Sequence, residues 1–255
     1  MKNQALTLLS ASALLLAVNS AQAQSILIDF DTDQTNLFDK ASGNDYTYSA
    51  TAGIGGTGGL EGGVDGAVWS YNGASYTFDG PEDEITFSMD ILYDAGGGDS
   101  PAIPLRIGLQ DDGPEGFGDY AARLDSRDNG LDFDGQTGQL DTTSFTLTDG
   151  NWYRGEFTIT GTSTAGVIDW SYNFLDLGAS GTATPNSLAS NSGTGAGPYS
   201  QFTNSGTNPL EFSFKVNDAA AQIDNIGIAV IPEPSSAILL MGALGTLLVV
   251  RRRRS

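Results

Sequence analysis

The stretch Ile85-Thr86-Phe87-Ser88-Met89-Asp90-Ile91 alternates apolar and polar side chains along its whole length. Because successive side chains of an extended chain point to opposite faces, this alternation predicts a strand with one buried face. Comparable patterns recur at 25–30, 67–71, 75–78, 105–110, 145–148, 157–160, 168–174, 210–216 and 222–230. Short strands repeated through about 200 residues predict an all-β fold, and specifically a single two-sheet β-sandwich.

Turn residues separate these predicted strands. Asp-Gly pairs at 79–80, 134–135 and 149–150 are typical of tight turns. Two longer stretches, 53–66 and 180–206, are rich in Gly, Ser, Thr and Asn and lack apolar alternation. We therefore expect both to be long loops within one domain.

The composition excludes several classes of function. The 255 residues contain no Cys and no His, and 31 Asp and Glu stand against 11 Lys and Arg. The absence of Cys excludes disulfides, thiol nucleophiles and Cys-ligated metals, and the absence of His removes the usual base of a catalytic triad. A net charge of −20 makes nucleic acid a poor partner.

The first 23 residues predict a secretory signal peptide. Lys2 supplies a positive n-region, an apolar run continues to Val18, and Ala21-Gln22-Ala23 has the small-x-small pattern of a cleavage site. Cleavage after Ala23 would start the mature chain at Gln24. The sequence therefore predicts export, with a buried N-terminal helix as the alternative.

The C-terminus holds a second apolar segment. An uncharged run from Ala237 to Val250 precedes the cluster Arg251, Arg252, Arg253 and Arg254. The run is slightly shorter than the roughly 17–20 residues of a bilayer span, so the predicted transmembrane helix suits a transient anchor. The positive-inside rule keeps the arginines cytoplasmic and places the preceding domain outside.

Pro232-Glu233-Pro234 lies directly upstream of this segment. The three parts in this order resemble the PEP-CTERM sorting tail of Gram-negative bacteria that produce extracellular polysaccharide, and we assign 232–255 to it. The resemblance implies an exosortase-type processing enzyme at the inner membrane, for which Pro232, Glu233, Pro234 and the Arg cluster form the sorting motif. A plain C-terminal anchor behind a proline-rich hinge is the alternative.

Two stretches of the region 24–231 carry a second resemblance. They are Asn151-Trp152-Tyr153-Arg154-Gly155-Glu156-Phe157-Thr158-Ile159 and Gln222-Ile223-Asp224-Asn225-Ile226-Gly227-Ile228. They resemble a Trp-Tyr strand and the closing strand of concanavalin A-like and laminin-G-like jelly rolls. The resemblance implies a jelly roll whose last strand pairs near the first. Irregular sandwiches and parallel β-helices stay open as alternatives.

A calcium site is the metal chemistry that this acidic, His-free chain favours. Asp29, Asp31 and Asp33 lie at alternate positions, and Ca²⁺ prefers six to eight oxygen ligands. The order of residues rejects an EF-hand, because Lys40 stands at the twelfth position. The jelly-roll resemblance implies that Asp29 or Asp31 meets Asp224 around calcium; in the alternative, Asp224 and Asn225 bind the backbone.

Catalytic residues are not predicted, and we do not expect an enzyme. Glu82-Asp83-Glu84 lacks the spacing of paired glycosidase carboxylates, and Glu156 has no acidic partner two or four residues away. Most aromatic residues fit the core, which leaves Tyr199 as the candidate for stacking on a glycan. We expect an exported structural or adhesive protein of the cell surface or exopolysaccharide, with weak glycan binding. The alternative is a carbohydrate-active enzyme on the same sandwich.

Overall fold

The computed structural model describes residues 24–42, 46–62, 68–73, 83–94, 105–111, 120–127, 130–135, 138–164, 167–196, 210–215 and 221–231. These residues form strands and two short 3₁₀ turns, which confirms the predicted all-β sandwich. The predicted signal peptide and sorting tail lie outside them. Within the described part of the chain, no helix is long and apolar enough to cross a membrane.

The strands are numbered in chain order. They are β1 (Gln24–Ile28), β2 (Phe38–Ser42), β3 (Thr47–Ser49), β4 (Gly59–Glu61), β5 (Val68–Tyr71), β6 (Glu84–Leu92), β7 (Leu105–Asp111), β8 (Tyr120–Arg127), β9 (Gly130–Gly135), β10 (Gly138–Ser144), β11 (Trp152–Gly161), β12 (Val167–Gly178), β13 (Asn186–Ala196), β14 (Leu210–Lys215) and β15 (Gln222–Ile231).

The strands pair antiparallel in two sheets. One sheet has the order β13-β12-β11-β6-β15-β4-β3, and β1 joins it by pairing with β15. The other has the order β10-β9-β8-β7-β14-β5-β2. In the first sheet Gln24 pairs with Val230 and Ile28 with Ile226, so the last strand lies beside the first. This pairing is the one that the jelly-roll resemblance implies.

The core lies between the two sheets, and the alternating residues fill it as predicted. Ile85, Phe87, Met89 and Ile91 of β6 are all buried. Phe87 stacks on Phe212 of the opposite sheet with ring centroids 4.9 Å apart. The three tryptophans of the chain, Trp69, Trp152 and Trp170, are also buried, so the prediction that most aromatics serve the core is confirmed.

Three local predictions were wrong. The stretch 180–206, predicted as a loop, contains β13, and 53–66 contains the 3₁₀ turn Ile54–Gly56 together with β4. In β13 the backbone pairs with β12 although few of its side chains are large and apolar.

Conversely, 145–148 is not a strand. There Phe145 stacks on Phe174 at 5.2 Å, while Thr148 donates its N–H to the Tyr153 hydroxyl at 2.6 Å. The side chains of Phe145 and Leu147 pack into the core although their backbone pairs with no strand, and this is why the sequence alternates there.

Candidate functional site

A row of charged side chains crosses three central strands on the face turned away from the core. Asp224 of β15 pairs in register with Asp90 of β6, which pairs with Arg154 of β11. Their neighbours Ile91, Ile223 and Tyr153 are buried; because side chains alternate between faces, the three charged residues point to the opposite face. We call these three residues and the adjacent Asn225 the polar row.

The ion pair at the centre of the polar row is bidentate. Arg154 donates from Nε to Oδ1 of Asp90 at 2.6 Å and from Nη2 to Oδ2 at 2.7 Å. The Asp90 side chain is fully buried, whereas 38% of the Arg154 side chain is exposed. The hydrogen bond to Asp90, together with the charges of Asp90, Glu156 and Asp224, raises the pKa of Arg154 despite its burial. Arg154 therefore stays positively charged.

A β-bulge shapes the row at Asn225. The register between β15 and β6 shifts between Asp224 and Gly227, and Asn225 has a φ of 49°. Asn tolerates this left-handed conformation better than most residues. The Asn225 side chain donates from Nδ2 to Oδ2 of Asp90 at 3.0 Å. The bulge thus supplies a further hydrogen bond to the buried carboxylate.

Asp224 holds the segment that follows β3. Its Oδ2 accepts the N–H of Ile54 at 2.9 Å, and its Oδ1 accepts the N–H of Asn225 at 2.8 Å. A Cβ at Gly53 would lie 2.8 Å from Asp224 Oδ2 and 2.0 Å from the Gly58 carbonyl oxygen, so this close approach requires glycine. Burial raises the pKa of Asp224 to about 6, with the charges of Asp90 and Asp29 adding to the effect and the two N–H bonds opposing it.

The predicted calcium ligands are brought together only in part. Asp29 is close enough for its charge to raise the pKa of Asp224, and its Oδ1 accepts the N–H of Asp31 at 3.2 Å. The Asp31 side chain is exposed. Among the described residues, no three acidic side chains form a metal-binding group. Carboxylate oxygen suits Ca²⁺ in kind, but further oxygens, from carbonyls or water, would have to complete its shell.

Asp224 binds backbone N–H groups, as the alternative interpretation of this residue predicts, and its role in calcium binding stays a prediction. Tyr199 and the sorting residues Pro232, Glu233, Pro234 and Arg251 to Arg254 lie outside the described residues.

Asp90 and Arg154 were not predicted as site residues. Only the register of β6 against β11 places them opposite each other. No spacing along the chain could have indicated this pairing.

The sheet face around the polar row is lined with hydroxyl and amide groups. Thr86 and Thr158 share a hydrogen bond of 2.7 Å across β6 and β11. Farther out, Ser187 donates to Asn173 at 3.0 Å, and Thr194 donates to Asp169 at 2.7 Å. The residues of this polar face are Thr86, Thr158, Asp169, Ser171, Asn173, Ser187, Ser190, Ser192 and Thr194. Such groups can bind other hydroxyl-bearing molecules through hydrogen bonds.

Comparison with known proteins identifies the end of the chain. Residues 230–254 match the family model of the PEP-CTERM protein-sorting motif. The match begins within β15, so the motif follows the last strand without an intervening linker. No curated protein matches the chain significantly in sequence.

Solved structures similar to this chain include plant lectins. Peanut lectin, in complex with a nine-residue peptide, has a TM-score of 0.57 at 8% identity over 83% of this chain and 98% of its own. Lectin I-B4 from Griffonia simplicifolia, in a metal-free form, has a TM-score of 0.54 at 9% identity over 82% of this chain and 99% of its own. Arcelin-5, a lectin-like defense protein from Phaseolus vulgaris, has a TM-score of 0.52 at 11% identity over 84% of this chain and 100% of its own. At such low identity the similarity establishes the fold alone.

The chain therefore carries a PEP-CTERM sorting motif at residues 230–254, directly behind a sandwich with the fold of legume-lectin-like jelly rolls.

Proposed function

We propose that this protein is exported and then sorted by an exosortase-type enzyme to the surface or exopolysaccharide layer of a Gram-negative cell. There its sandwich has a structural or adhesive role. The observation that carries the proposal is the sorting motif that begins in the last strand of the sandwich. The chain would comprise a signal peptide at 1–23, one domain at 24–231 and a sorting tail at 232–255, and the inner membrane would hold it during transit.

The proposed role is binding, without catalysis. The lectin-like fold and the sorting motif both favour a binding or structural protein. Because all three tryptophans are buried, glycan contact would depend on the hydroxyl and amide groups of the polar face and on Tyr199. Hydrogen bonds on an open, hydrated face are individually weak, so the expected affinity for a glycan is low.

Replacing Pro232, Glu233 and Pro234 together with alanine tests the sorting route. Export should continue, because the signal peptide is unchanged, but the protein should accumulate in the inner membrane. Fractionation of cells that express each variant measures this distribution. The matched control replaces Ser235 and Ser236 with alanine and should be sorted normally. If the triple variant reached the surface as efficiently as the control, the sorting proposal would be wrong.

A glycan array that includes the producer's own exopolysaccharide tests the adhesive role. The 24–231 domain should bind a subset of glycans, and Tyr199→Ala should weaken that binding. Asn173→Ala on the polar face tests the hydrogen-bonding contribution in the same way. The exposed Asp31→Asn variant, which changes neither Tyr199 nor the polar face, serves as the control. Absence of binding to any glycan would leave a structural role alone.

We also propose a structural Ca²⁺ at Asp29 and Asp224, with Asp31 as the third predicted ligand. The support is electrostatic: the charges of Asp29 and Asp90 both act on Asp224, and Arg154 supplies a countercharge. A divalent cation would compensate the excess negative charge. Adding Ca²⁺ to the chelator-treated domain should raise its melting temperature, and Asp224→Asn should abolish the rise. An unchanged melting temperature at saturating Ca²⁺ would exclude the site.

A further inference from the structure

Both ends of the described chain lie at one end of the eight-stranded sheet. Gln24 pairs with Val230, and Ile231 pairs with Glu84, which in turn pairs with Thr160. The first residue after the predicted signal cleavage and the last residue before the tail therefore leave the sheet together. We call this the exit end; it also includes residues 162–164, which follow β11.

The opposite end of the same sheet is the far end. There Leu92 pairs with both Trp152 and Gln222, and Trp152 pairs with Gly178. The turn between β12 and β13, at 179–185, belongs to this end. The polar row lies close to it, since Asp224 is two residues from the start of β15. The two ends are separated by the length of β12, whose 12 residues span about 40 Å.

The tail is too short to reverse this arrangement. Five residues, 232–236, separate the end of β15 from the apolar run that starts at Ala237. At a maximum of about 3.6 Å per residue, this connection reaches roughly 20 Å. It is therefore about half as long as the distance between the two ends of the sheet. Its two prolines restrict its bending further.

The exposed side chains of the domain bear on which end of the sheet faces the membrane. Among the described residues, the exposed large apolar side chains are Leu27, at 64% exposure, and Ile231, at 49%. Ile231 is the last residue of β15 and lies at the exit end, whereas Leu27 pairs with Gly227, four residues before it along the strand. The domain as a whole is acidic: residues 24–231 contain 30 Asp and Glu against 6 Lys and Arg, which gives a charge of −24. Anionic headgroups repel such a domain and oppose contact through a sheet face.

From these observations we propose that the exit end rests on the bilayer interface while the protein is anchored, with Ile231 against the lipid headgroups. The far end, with the polar row and the 179–185 turn, then points away from the membrane and is the end presented to extracellular partners. The proposal rests on the proposed function in one respect, namely that the tail enters the membrane.

Single-cysteine labelling of the full chain tests this orientation, because the natural sequence contains no Cys that would compete for the label. Ser163→Cys and Ser180→Cys form a matched pair: both serines are exposed, and they lie in the turns at opposite ends of β12. Each variant is reconstituted in vesicles of phosphatidylethanolamine and phosphatidylglycerol, and its fluorophore is quenched by headgroup-labelled lipid. Quenching should be severalfold stronger at position 163 than at position 180.

A third variant, Gly242→Cys, separates failure of this orientation from failure of the proposed function. Its label should be quenched by a lipid that carries the quencher in its acyl chain. If it is quenched while positions 163 and 180 are quenched equally or in reverse order, the orientation is wrong and the sorting proposal stands. If it is not quenched, the tail does not insert, which overturns both proposals.

Discussion

Strands β11 and β13 flank the same strand, β12, and pair with it over almost their whole lengths, yet they contribute different side chains. β11 buries Phe157 and Ile159 completely. β13 buries Ala189, packs the half-buried Leu188 against the core, and otherwise presents small or polar residues. A strand at a sheet edge therefore needs few large apolar side chains, because backbone pairing supplies much of its stability, whereas a central strand that covers the core needs many.

The bulk that β13 lacks is supplied by its neighbour. Trp170 of β12 lies 5.0 Å from Phe133 of the opposite sheet and stacks on Tyr172 with ring centroids 6.1 Å apart. A Cβ at Gly193 would approach the Trp170 ring to 2.7 Å. The indole thus occupies the space in which a larger side chain of β13 would otherwise lie, and glycine at position 193 permits this packing.

The largest effect that separates the two strands is expected at Phe157. Its ring contacts Phe87 and Phe133, with centroids 5.5 and 5.8 Å away. Phe157→Ala should lower the free energy of unfolding by about 3–5 kcal/mol, because it removes buried contacts and leaves a cavity. Ser190→Ala on β13 is the control and should change stability by less than about 0.5 kcal/mol. Urea unfolding of the 24–231 domain measures both. A loss for Phe157→Ala no larger than the loss for Ser190→Ala would contradict the role of β11 in the core.

This difference explains which parts of the fold could be predicted. Alternation located β6, β11, β12 and β15, because their inner faces carry large apolar residues that stand out against polar neighbours. It missed β13, where Leu188 is the one large apolar residue, and it misassigned 145–148, where Phe145 and Leu147 pack without a strand partner. Periodicity reports the burial of a side chain, and burial can occur with or without backbone pairing.

The candidate site was predictable only where it depends on the order of residues along the chain. Pro232-Glu233-Pro234 and its flanking segments could be recognised because a sorting enzyme acts on a contiguous tail. Asp224 was identified from the same strand motif that predicted the closing pairing. Asp90 and Arg154 were missed, because their interaction depends on the register between strands 64 residues apart. Register is fixed by the packing of the whole sandwich.

The outward face of β11 carries charge, at Arg154 and Glu156, whereas β13 has no ionisable residue. Arg154→Met should destabilise the domain by about 2–3 kcal/mol, because it leaves the buried Asp90 carboxylate without its countercharge. The expected cost is below that of a fully buried pair, since the Arg154 side chain is 38% exposed. Arg154→Lys, which keeps the charge but loses the bidentate geometry, should lie between Met and the natural residue. Urea titrations with equal loss for Lys and Met would indicate that geometry, and not charge, is the important term.

A third test addresses the packing of β13 directly. Gly193→Ala should destabilise the domain by about 2 kcal/mol, because the new methyl group would overlap the Trp170 ring and force it to move. Ser192→Ala, one residue away and exposed, is the matched control and should be nearly neutral. Near-ultraviolet circular dichroism should also change for the position 193 variant, since it reports on the surroundings of tryptophan. A neutral Gly193→Ala would show that β13 is loosely packed against the indole.

The smallest expected effect is the pH dependence of the free energy of unfolding. The side chains of β13 do not contribute to it, because residues 186–196 contain no ionisable group. The absence of His means that the groups with ordinary pKa values contribute little between about pH 5 and 8. Asp224 is different, since burial raises its pKa to about 6. Its ionised form is disfavoured in the folded state, so stability that is present near pH 4 is lost as the pH rises through 6.

The pH dependence of Asp224→Asn isolates this contribution, because an amide cannot ionise. Its oxygen can still accept the Ile54 N–H, and the loss of the bond from the Asn225 N–H lowers stability equally at every pH. In the absence of calcium, the natural domain should lose on the order of 1–2 kcal/mol relative to this variant between pH 4 and 7, with little change above pH 7. Asp31→Asn, at an exposed position near the same strand, is the control and should follow the natural profile. Parallel profiles for Asp224→Asn and the natural domain would contradict the raised pKa. A difference that Ca²⁺ removes at pH 7 would indicate that cation binding offsets the cost of burying this charge.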